Sequence, residues 1–393
     1  MARLGGVLFV VLVGCSRPAP TAQQETFSGF SPVTRAALQQ LLRDVGRGSA
    51  RFDAAHPPVA TLDWDNTMVR MDVGDLGLFH ALANNGLVAP PAWDQVDPAL
   101  APAAVAMLEA ACKPAGAPGQ KLATATHPDC TNALLDIYLE EKLADGTPAF
   151  ALPDTPSIKR SYLFGARLWQ GQTPQQVRDA ATAAWAWGTA QPVGATVVLG
   201  RHTVASWIRL QPPMVDLVAA LRAAGVEVWI VSASAQQLVE VAASHVGIAP
   251  NHVLGVQLQV DAQQRLKADL VTCGEDGVER MPFGDGKRCV INRTILALPP
   301  AQHTAVAPAA QRAVLAAGDS DGDVPMLQDA THVRLALNRG RSELMCHALH
   351  NADRRWFVEP LFVDPLPPRG QPFGCGGWRD PTGAVIPDQP PPH

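Results

Sequence analysis

Residues 57–67 read PPVATLDWDNT, a short apolar run that ends in two carboxylates, Asp63 and Asp65. Behind two prolines, such a run predicts a buried strand. If the chain stays extended over 59–64, Asp63 and Asp65 project from one face and Trp64 from the other. Like charges that close are costly unless a cation, a proton or a reacting group lies between them. The pair therefore points to a metal site or to acid–base chemistry. A strand running into an Asp-rich turn, with Asn66 and Thr67 supplying turn and helix-cap chemistry, accounts for the same letters. The rest of the chain has to decide between the two.

With 393 residues the chain is long enough for two domains or for one with a large insertion. Hydrophobic content of 47% against 17% charged is globular, not disordered. The net charge of -5, from 31 Lys+Arg and 36 Asp+Glu with no basic run, argues against a nucleic-acid partner, which needs a clustered basic face. MAR followed by LGGVLFVVLVG is too short to span a bilayer as a mature helix but suits a signal-peptide core. Leu12-Val13-Gly14-Cys15 resembles the lipobox of bacterial lipoproteins, in which the signal is cut before a Cys that then carries lipid; an ordinary secretion signal is the other reading. Residues 1–15 are thus expected to be signal peptide and lipobox, and 16–28, polar and Pro-containing, a flexible tether. The expected address is the bacterial cell envelope, facing the periplasm or the exterior.

Setting Cys15 aside leaves six of the seven Cys for an oxidising compartment. Their spacing forms three local couples, Cys112 with Cys130, Cys273 with Cys289 and Cys346 with Cys375, which are read as disulfides. Spacing alone leaves other connectivities open. A zinc site is the rival reading, but no CxxC supports it.

Ser31-Pro32 opens a helix-like segment that ends near Gly46, and the strand before DWDNT follows. Residues 68–205 are Ala-rich, with helix-like runs near 75–85, 99–112, 129–144, 159–170 and 174–189, and are read as a mostly helical insertion. Helix and strand then alternate. MVDLVAALRAAG leads to the strand VEVWIVSAS; AQQLVEVAASHVG is a helix; VLGVQLQV and RLKADLVT read as a hairpin; a helix from about 287 precedes the strand AVLAAGDSDGD, and a short helix leads to VRLALN. This alternation predicts an α/β fold with a mainly parallel sheet, whose ligands bind at the carboxyl ends of the strands. DWDNT, VSAS and GDSDGD all fall there. The tail 379–393 reads as disordered.

DWDNT, the Ser ending a later strand, GKR and GDSDGD, in that order, resemble the haloacid dehalogenase superfamily of phosphohydrolases. The likeness covers roughly 50–70 and 205–340. It implies a Rossmann-like core over 29–67 and 206–378, with 68–205, directly after the first motif, as an inserted helical cap. Phosphoryl transfer needs a nucleophile, a proton donor, a cation and fixed positive groups around the oxygens. Asp63 is read as the nucleophile that forms an aspartyl-phosphate. Asp65 is read as the acid that protonates the leaving alkoxide and later the base for water. An Asp at this second position marks the family's phosphatases and is missing from its dehalogenases. Ser232 and the backbone at Ala233 would contact the phosphate, with Ser234 a helix-cap candidate and Thr67 near the nucleophile. Of two Lys, Lys287 in FGDGKRC matches the family's third motif, and Lys267 reads as a solvated strand residue.

The resemblance further implies a Mg²⁺ held by Asp63, the backbone carbonyl of Asp65 and Asp319, with Asp323 completing or supporting the shell and orienting Lys287. Asp321 is read as a turn residue. D-x-D-x-D is also a calcium-loop pattern, but the EF-hand Glu and its spacing are missing. Among cap aromatics, Trp93, Tyr162, Phe164, Trp169, Trp185 and Trp187 read first as packing, although a cationic head group would want such rings. DWDNT, the stretch from QPPMVDLV to VSAS, FGDGKRCVI and the exported address together resemble bacterial phosphorylcholine phosphatases more than cytosolic phosphoserine phosphatases. Those relatives carry aromatic and acidic residues just after the first motif, where this chain has Arg70, Met71, Asp72 and Gly74. The expected activity is hydrolysis of a small phosphomonoester such as phosphocholine or phosphoethanolamine. A lipid-anchored binding protein on the same fold, a phosphoserine-type phosphatase, and a glycosyltransferase using DWD as its metal motif are the other readings. The last leaves Ser232, Lys287 and GDSDGD without a role.

Overall fold

The computed structural model describes residues 26–391. The expected signal and lipobox, Cys15 included, and residues 16–25 of the expected tether lie outside the described residues. Residues 26–28 were counted with the tether but are packed: Phe27 is buried edge-on to Phe30, and its carbonyl accepts from Arg35 Nε. Helix α1 (Pro32–Val45) begins at the expected cap, where Ser31 Oγ accepts from the Thr34 N–H.

Strand β1 (Val59–Leu62) precedes DWDNT. The insertion begins with β2 (Val69–Arg70). It continues through the helices α2 (Val73–Ala83), α3 (Pro102–Cys112), α4 (Pro128–Leu135), α5 (Arg160–Arg167) and α6 (Pro174–Ala190), and then the hairpin β3 (Thr196–Leu199) and β4 (His202–Ala205). It closes with β5 (Arg209–Leu210), which pairs antiparallel with β2, Val69 opposite Leu210 and Arg70 opposite Arg209. One two-stranded stem thus carries the chain out and back. Gln211 secures the stem to the turn after β1 by donating to the carbonyls of Asn66 and Thr67, both at 2.9 Å.

The core resumes with α7 (Pro212–Ala223), β6 (Glu227–Ala235), α8 (Gln236–Ser244), β7 (Val253–Val256), β8 (Leu258–Val260) and β9 (Leu266–Leu270). It ends with α9 (Asp285–Thr294), β10 (Leu315–Gly318), α10 (Val324–Asp329), β11 (Val333–Asn338), α11 (Ser342–His350) and β12 (Trp356–Pro360). Six of these strands form one parallel sheet in the order β12-β11-β10-β1-β6-β7. The two strands beside β1 are therefore β10 and β6, which carry GDSDGD and VSAS. Helices on both faces bury β10 fully and β1 from Ala60 onward, so VATL and LAAG are continuous small and apolar runs instead of alternating ones.

Two expectations need correcting. VLGV is no hairpin arm: it forms β7, buried along its whole length as the parallel edge strand against β6, and only β8 and β9 pair antiparallel. The stretch from 379 to 391 is not disordered. Ile386 is fully buried with Phe373, Met345 and the Cys346–Cys375 bridge, and Arg379 pairs with Val385 across a turn. Apolar anchors and a covalent staple outweigh the Pro-rich composition there. Helix α11 and strand β12 were not read from the sequence at all. The three expected disulfides form: Cys112–Cys130 joins α3 to α4, Cys273–Cys289 ties a loop to α9, and Cys346–Cys375 holds the C-terminal segment. Besides the stem, the insertion and the rest of the chain share a second junction, where Gly171 and Gln172 exchange backbone hydrogen bonds with Leu266, both at 2.8 Å.

Candidate active site

Asp63 leaves the end of β1 with its N–H still donating to Ala317 of β10, so the sheet itself aims its carboxylate. The side chain is buried. Its Oδ1 accepts from Lys287 Nζ at 2.7 Å and its Oδ2 from Thr67 Oγ1 at 3.0 Å. Thr67 Oγ1 is also 3.0 Å from Asp319 Oδ1, so one hydroxyl sits between the two acids. The chain reaches Thr67 through Asn66 in the left-handed region (φ 56°), which Asn tolerates; its Oδ1 closes the turn by accepting from the Met71 N–H. Burial, then the charge of Asp323, raise the Asp63 carboxyl well above the usual range, while Lys287 pulls it down.

Lys287 enters from the first turn of α9, 2% exposed. Burial opposes its charge, but the carboxylates of Asp323 and Asp63 outweigh this and hold its pKa above the ordinary lysine value. Asp323 Oδ1 accepts from Lys287 at 2.6 Å, and its Oδ2 accepts from the N–H groups of Asp319 and Ser320 and from Ser320 Oγ at 2.8–3.0 Å. This close approach explains Gly318: a Cβ there would lie 2.5 Å from that of Asp323. Asp321 accepts from the Leu344 N–H and so serves the turn, as expected; Lys267 is half-exposed beside Asp269, also as expected.

Asp65 faces the β6 side. Its Oδ1 accepts from the Val73 N–H at 2.7 Å, and its Oδ2 from Ser232 Oγ at 3.0 Å and Ser234 Oγ at 2.7 Å. The two Ser reach one carboxylate because alternate residues of a strand share a face. Burial, then the charges of Asp72 and Asp63, raise the Asp65 carboxyl well above the usual range, which favours a carboxyl that carries a proton. Ser232 is fully buried and directed at Asp65, whereas Ala233 and Ser234 line the cavity. Ser234 caps no helix; it belongs with Asp65.

Oxygens of Asp63, Asp319 and Asp323 lie within 4.8 Å of one another. Asp319 Oδ2 is buried and ion-paired with Arg339 Nε, and with the oxygens of Asp63 it forms a buried carboxylate set of the kind that suits a hard divalent cation. Asp63 and Asp319 fit such an ion. Asp323, with both oxygens engaged, fits the supporting role better than the ligand role, and the Asp65 carboxylate stands outside the cluster, leaving only its backbone carbonyl for a metal shell. Burial pushes the Asp319 carboxyl up to about 6 against the pull of Arg339, whose guanidinium Nε forms an ion pair with its Oδ2.

Above these groups is a cavity of ≈ 60 Å³ whose far wall comes largely from the insertion. Of the aromatics singled out in the sequence, Tyr162 and Trp169 line it; Trp93, Phe164 and Trp185 are buried in the core, and Trp187 packs beside His80. Tyr138, Phe283, Arg339 and, as a cavity wall, Asp72 escaped the sequence reading. Asp72 caps α2 by accepting from the N–H groups of Gly74 and Asp75. Tyr138 Oη donates to Asp75 Oδ1 at 2.7 Å, and burial, then the Asp72 charge, push the Asp75 carboxyl up to about 7. Arg339 could have been found, since it follows the strand VRLALN on the edge where ligands bind. Tyr138 lies on a π-turn after α4, which helical periodicity does not flag.

A family model for haloacid dehalogenase-like hydrolases matches residues 126–328, just over half of the chain. A solved protein described as conserved and functionally unknown, from Anaerococcus prevotii DSM 20548, is 18% identical with a TM-score of 0.62, over 84% of this chain and 92% of its own. It shares the fold. A protein of unknown function from Bordetella pertussis Tohama I is 17% identical over 77% of this chain and 98% of its own, with a TM-score of 0.44. A phosphoserine phosphatase with a phospho-aspartyl intermediate analogue is 11% identical over 77% and 91%, with a TM-score of 0.35. No curated protein matches the chain.

Proposed function

Because this chain belongs to the haloacid dehalogenase-like hydrolases, we propose that it hydrolyses a small phosphomonoester through a phosphorylated Asp63. The observation that carries this reading is the convergence of Asp63, Thr67, Lys287, Asp319 and Asp323 at the ends of two adjacent strands. Asp63 and Asp319 would hold Mg²⁺, which when bound neutralises charge on the phosphoryl oxygens. Asp63 attacks phosphorus, the ester P–O bond breaks, and the departing alkoxide takes the Asp65 proton. Water then gives a proton back to Asp65 as it attacks the aspartyl-phosphate, releasing inorganic phosphate and the Asp63 carboxylate. Lys287 and Thr67 keep the nucleophile oriented throughout.

The character of the cavity is acidic and aromatic. Asp72 lies among the rings of Tyr138, Tyr162, Trp169 and Phe283, with Asp75 behind Tyr138, an environment for a cationic head group such as choline or ethanolamine. The cell-envelope address and lipid anchor at Cys15 are supported by the lipobox-like Leu12–Cys15 and by three disulfides, which persist in oxidising compartments.

The test is phosphate release from phosphocholine, phosphoethanolamine, phosphoserine and an aryl phosphate, with and without EDTA, alongside Asp63→Asn. Release that needs Mg²⁺ and falls by at least about 10⁴-fold in the variant supports the reading. No release from any ester by folded protein overturns it, and preference for phosphoserine would replace the cationic head group with a zwitterionic one.

A further inference from the structure

The end of the sheet opposite the catalytic residues carries a charge pattern that turnover does not use. Arg47 and Arg51 lie in the link from α1 to β1, Arg222 in the last turn of α7 before β6, Arg312 before β10, and Arg354 and Arg355 before β12. Backbone hydrogen bonds join these segments into one rim. Arg47 N–H donates to the Ala224 carbonyl, Glu227 N–H to that of Pro58, Val314 N–H to that of Val59 and Arg334 N–H to that of Arg355, all at 2.8 Å. Neighbouring strands lie about 4.8 Å apart, so from β6 to β12 the rim runs about 20 Å.

Among the described residues no carboxylate pairs with any of these six guanidiniums. Five are exposed, and Arg312 is half-buried with an Nε that reaches no acceptor. The acids of the rim are engaged elsewhere: Asp44 accepts from Gln40, Asp53 pairs with His56, Glu227 with His252 and Asp353 with Arg334. Burial holds the His332 imidazole below its ordinary value, Asp44 pulls it up, and Arg355 and Arg51 press it down, so both guanidiniums act at the start of β11. In a chain of net charge -5, a strip of one sign is a local field that draws anions. A recess of ≈ 410 Å³ opens into it, lined by Arg47, Arg222 and Phe52 together with Glu227 and His252. Guanidinium forks match the paired oxygens of a phosphate.

A row of this length fits a charged surface better than a single small anion, and the course of the N-terminal chain favours lipid over an acidic protein. Helix α1 starts beside the carboxyl end of β12, where Ser31 N–H donates to Glu359, and runs about 21 Å to the rim. From Cys15 to Thr26 the chain can span at most about 35–40 Å. A lipid on Cys15 can therefore enter the plane that the rim faces.

We propose that the arginine rim at the amino ends of the strands docks the protein on an anionic phospholipid surface, with the catalytic cavity turned away from it toward water. The proposal draws on the envelope address and lipid anchor given above and is independent of the phosphomonoester reading.

The experiment measures sedimentation of the full chain with vesicles of phosphatidylcholine alone or mixed with phosphatidylglycerol, at low and at high salt. Wild type is compared with the triple variant Arg47→Gln, Arg51→Gln, Arg355→Gln. A second triple, Lys113→Gln, Lys121→Gln, Lys142→Gln, changes net charge equally through exposed lysines of the insertion. Each rim arginine contributes about 5-fold to partition, so the rim triple should lose about 10²-fold on the anionic vesicles at low salt. The lysine triple should lose little, all three chains should bind phosphatidylcholine alike, and high salt should erase the difference. Phosphate release from an aryl phosphate should be the same in the rim triple and wild type. Wild type with no preference for the anionic vesicles, or equal losses in both triples, overturns the proposal. Capture by polyglutamate without binding to anionic vesicles would assign the rim to an acidic protein and overturn it too. If circular dichroism shows that the rim triple does not fold, Arg51→Gln and Arg355→Gln decide singly: a loss of about 5-fold in each supports docking, and no loss in either defeats it.

Discussion

The floor and the roof of the cavity handle charge in opposite ways. On the floor, the acids Asp63, Asp319 and Asp323 are met by Lys287, Arg339, Thr67 and backbone N–H groups, so nearly every oxygen has a partner. Toward the roof, Asp65, Asp72 and Asp75 crowd together with hydroxyl and amide donors but, among the described residues, no ion pair; burial raises all three, the Asp72 charge adds to it at Asp65 and Asp75, and the more distant Arg339 opposes it at Asp72 and Asp75. A matched set of charges fixes atoms for a reaction. An unmatched set waits for a proton or a positive ligand. Chemistry therefore belongs to the floor and choice of leaving group to the roof, with Asp65 at the boundary as the proton carrier.

Substitution on the floor should be felt in folding as well as in turnover. Asp323→Ala removes a partner of a buried ammonium and uncovers the N–H groups of Asp319 and Ser320, so a loss of roughly 3–5 kcal/mol in urea unfolding is expected. A loss below about 1 kcal/mol would mean that the floor is not the matched set described here. The boundary residue separates the two regions by chemistry. Asp65→Asn cannot protonate the departing oxygen, so hydrolysis of an alkyl phosphate should fall by about 10²–10⁴-fold. An aryl phosphate leaves as a stable phenolate and should lose far less. Equal losses on both esters would move Asp65 from proton carrier to structural support for Val73 and β6.

The same division explains what could be read in advance. Asp63, Asp65, Lys287, Asp319 and Asp323 stand beside strand ends or helix starts, and their neighbours VATL, VWIV and LAAG are buried runs that declare parallel strands. The roof has no such frame. Asp72, Tyr138, Tyr162 and Phe283 lie far apart in the chain and meet only because the insertion folds back over the end of β1 and the loop before α9. Ser232 stands on the expected strand end, and its contact with Asp65 is the part that was not read: the period of two that puts Asp63 and Asp65 together also puts Ser232 and Ser234 on the Asp65 side. Edge elements were hidden for another reason. WFVEP carries Glu and Pro, which mark no buried strand, yet Glu359 is buried because it accepts from the Ser31 N–H at the start of α1.

The roof also makes a prediction about pH that the floor does not. Asp75 has a folded-state pKa of about 7 against an ordinary 3.8, with burial as the first cause and the Asp72 charge as the second. The folded protein therefore holds a proton that the unfolded chain releases between those values. Where the native state binds more protons, unfolding free energy falls as pH rises. Stability from this group is thus fully present below about pH 4, declines between pH 4 and 7, and stays lower above. Asp75→Asn keeps an acceptor for Tyr138 but carries no charge, so it should flatten that decline and stabilise the protein at pH 8. Because Asp75 is half-buried and screened, the gain should be on the order of 1–2 kcal/mol. The same variant should weaken binding of a cationic leaving group at pH 8 while leaving the aryl phosphate nearly unaffected. A variant that is less stable than wild type at pH 8, or that retains the decline between pH 4 and 7, would show that the roof acids are already neutralised within the protein, and the contrast with the floor would disappear.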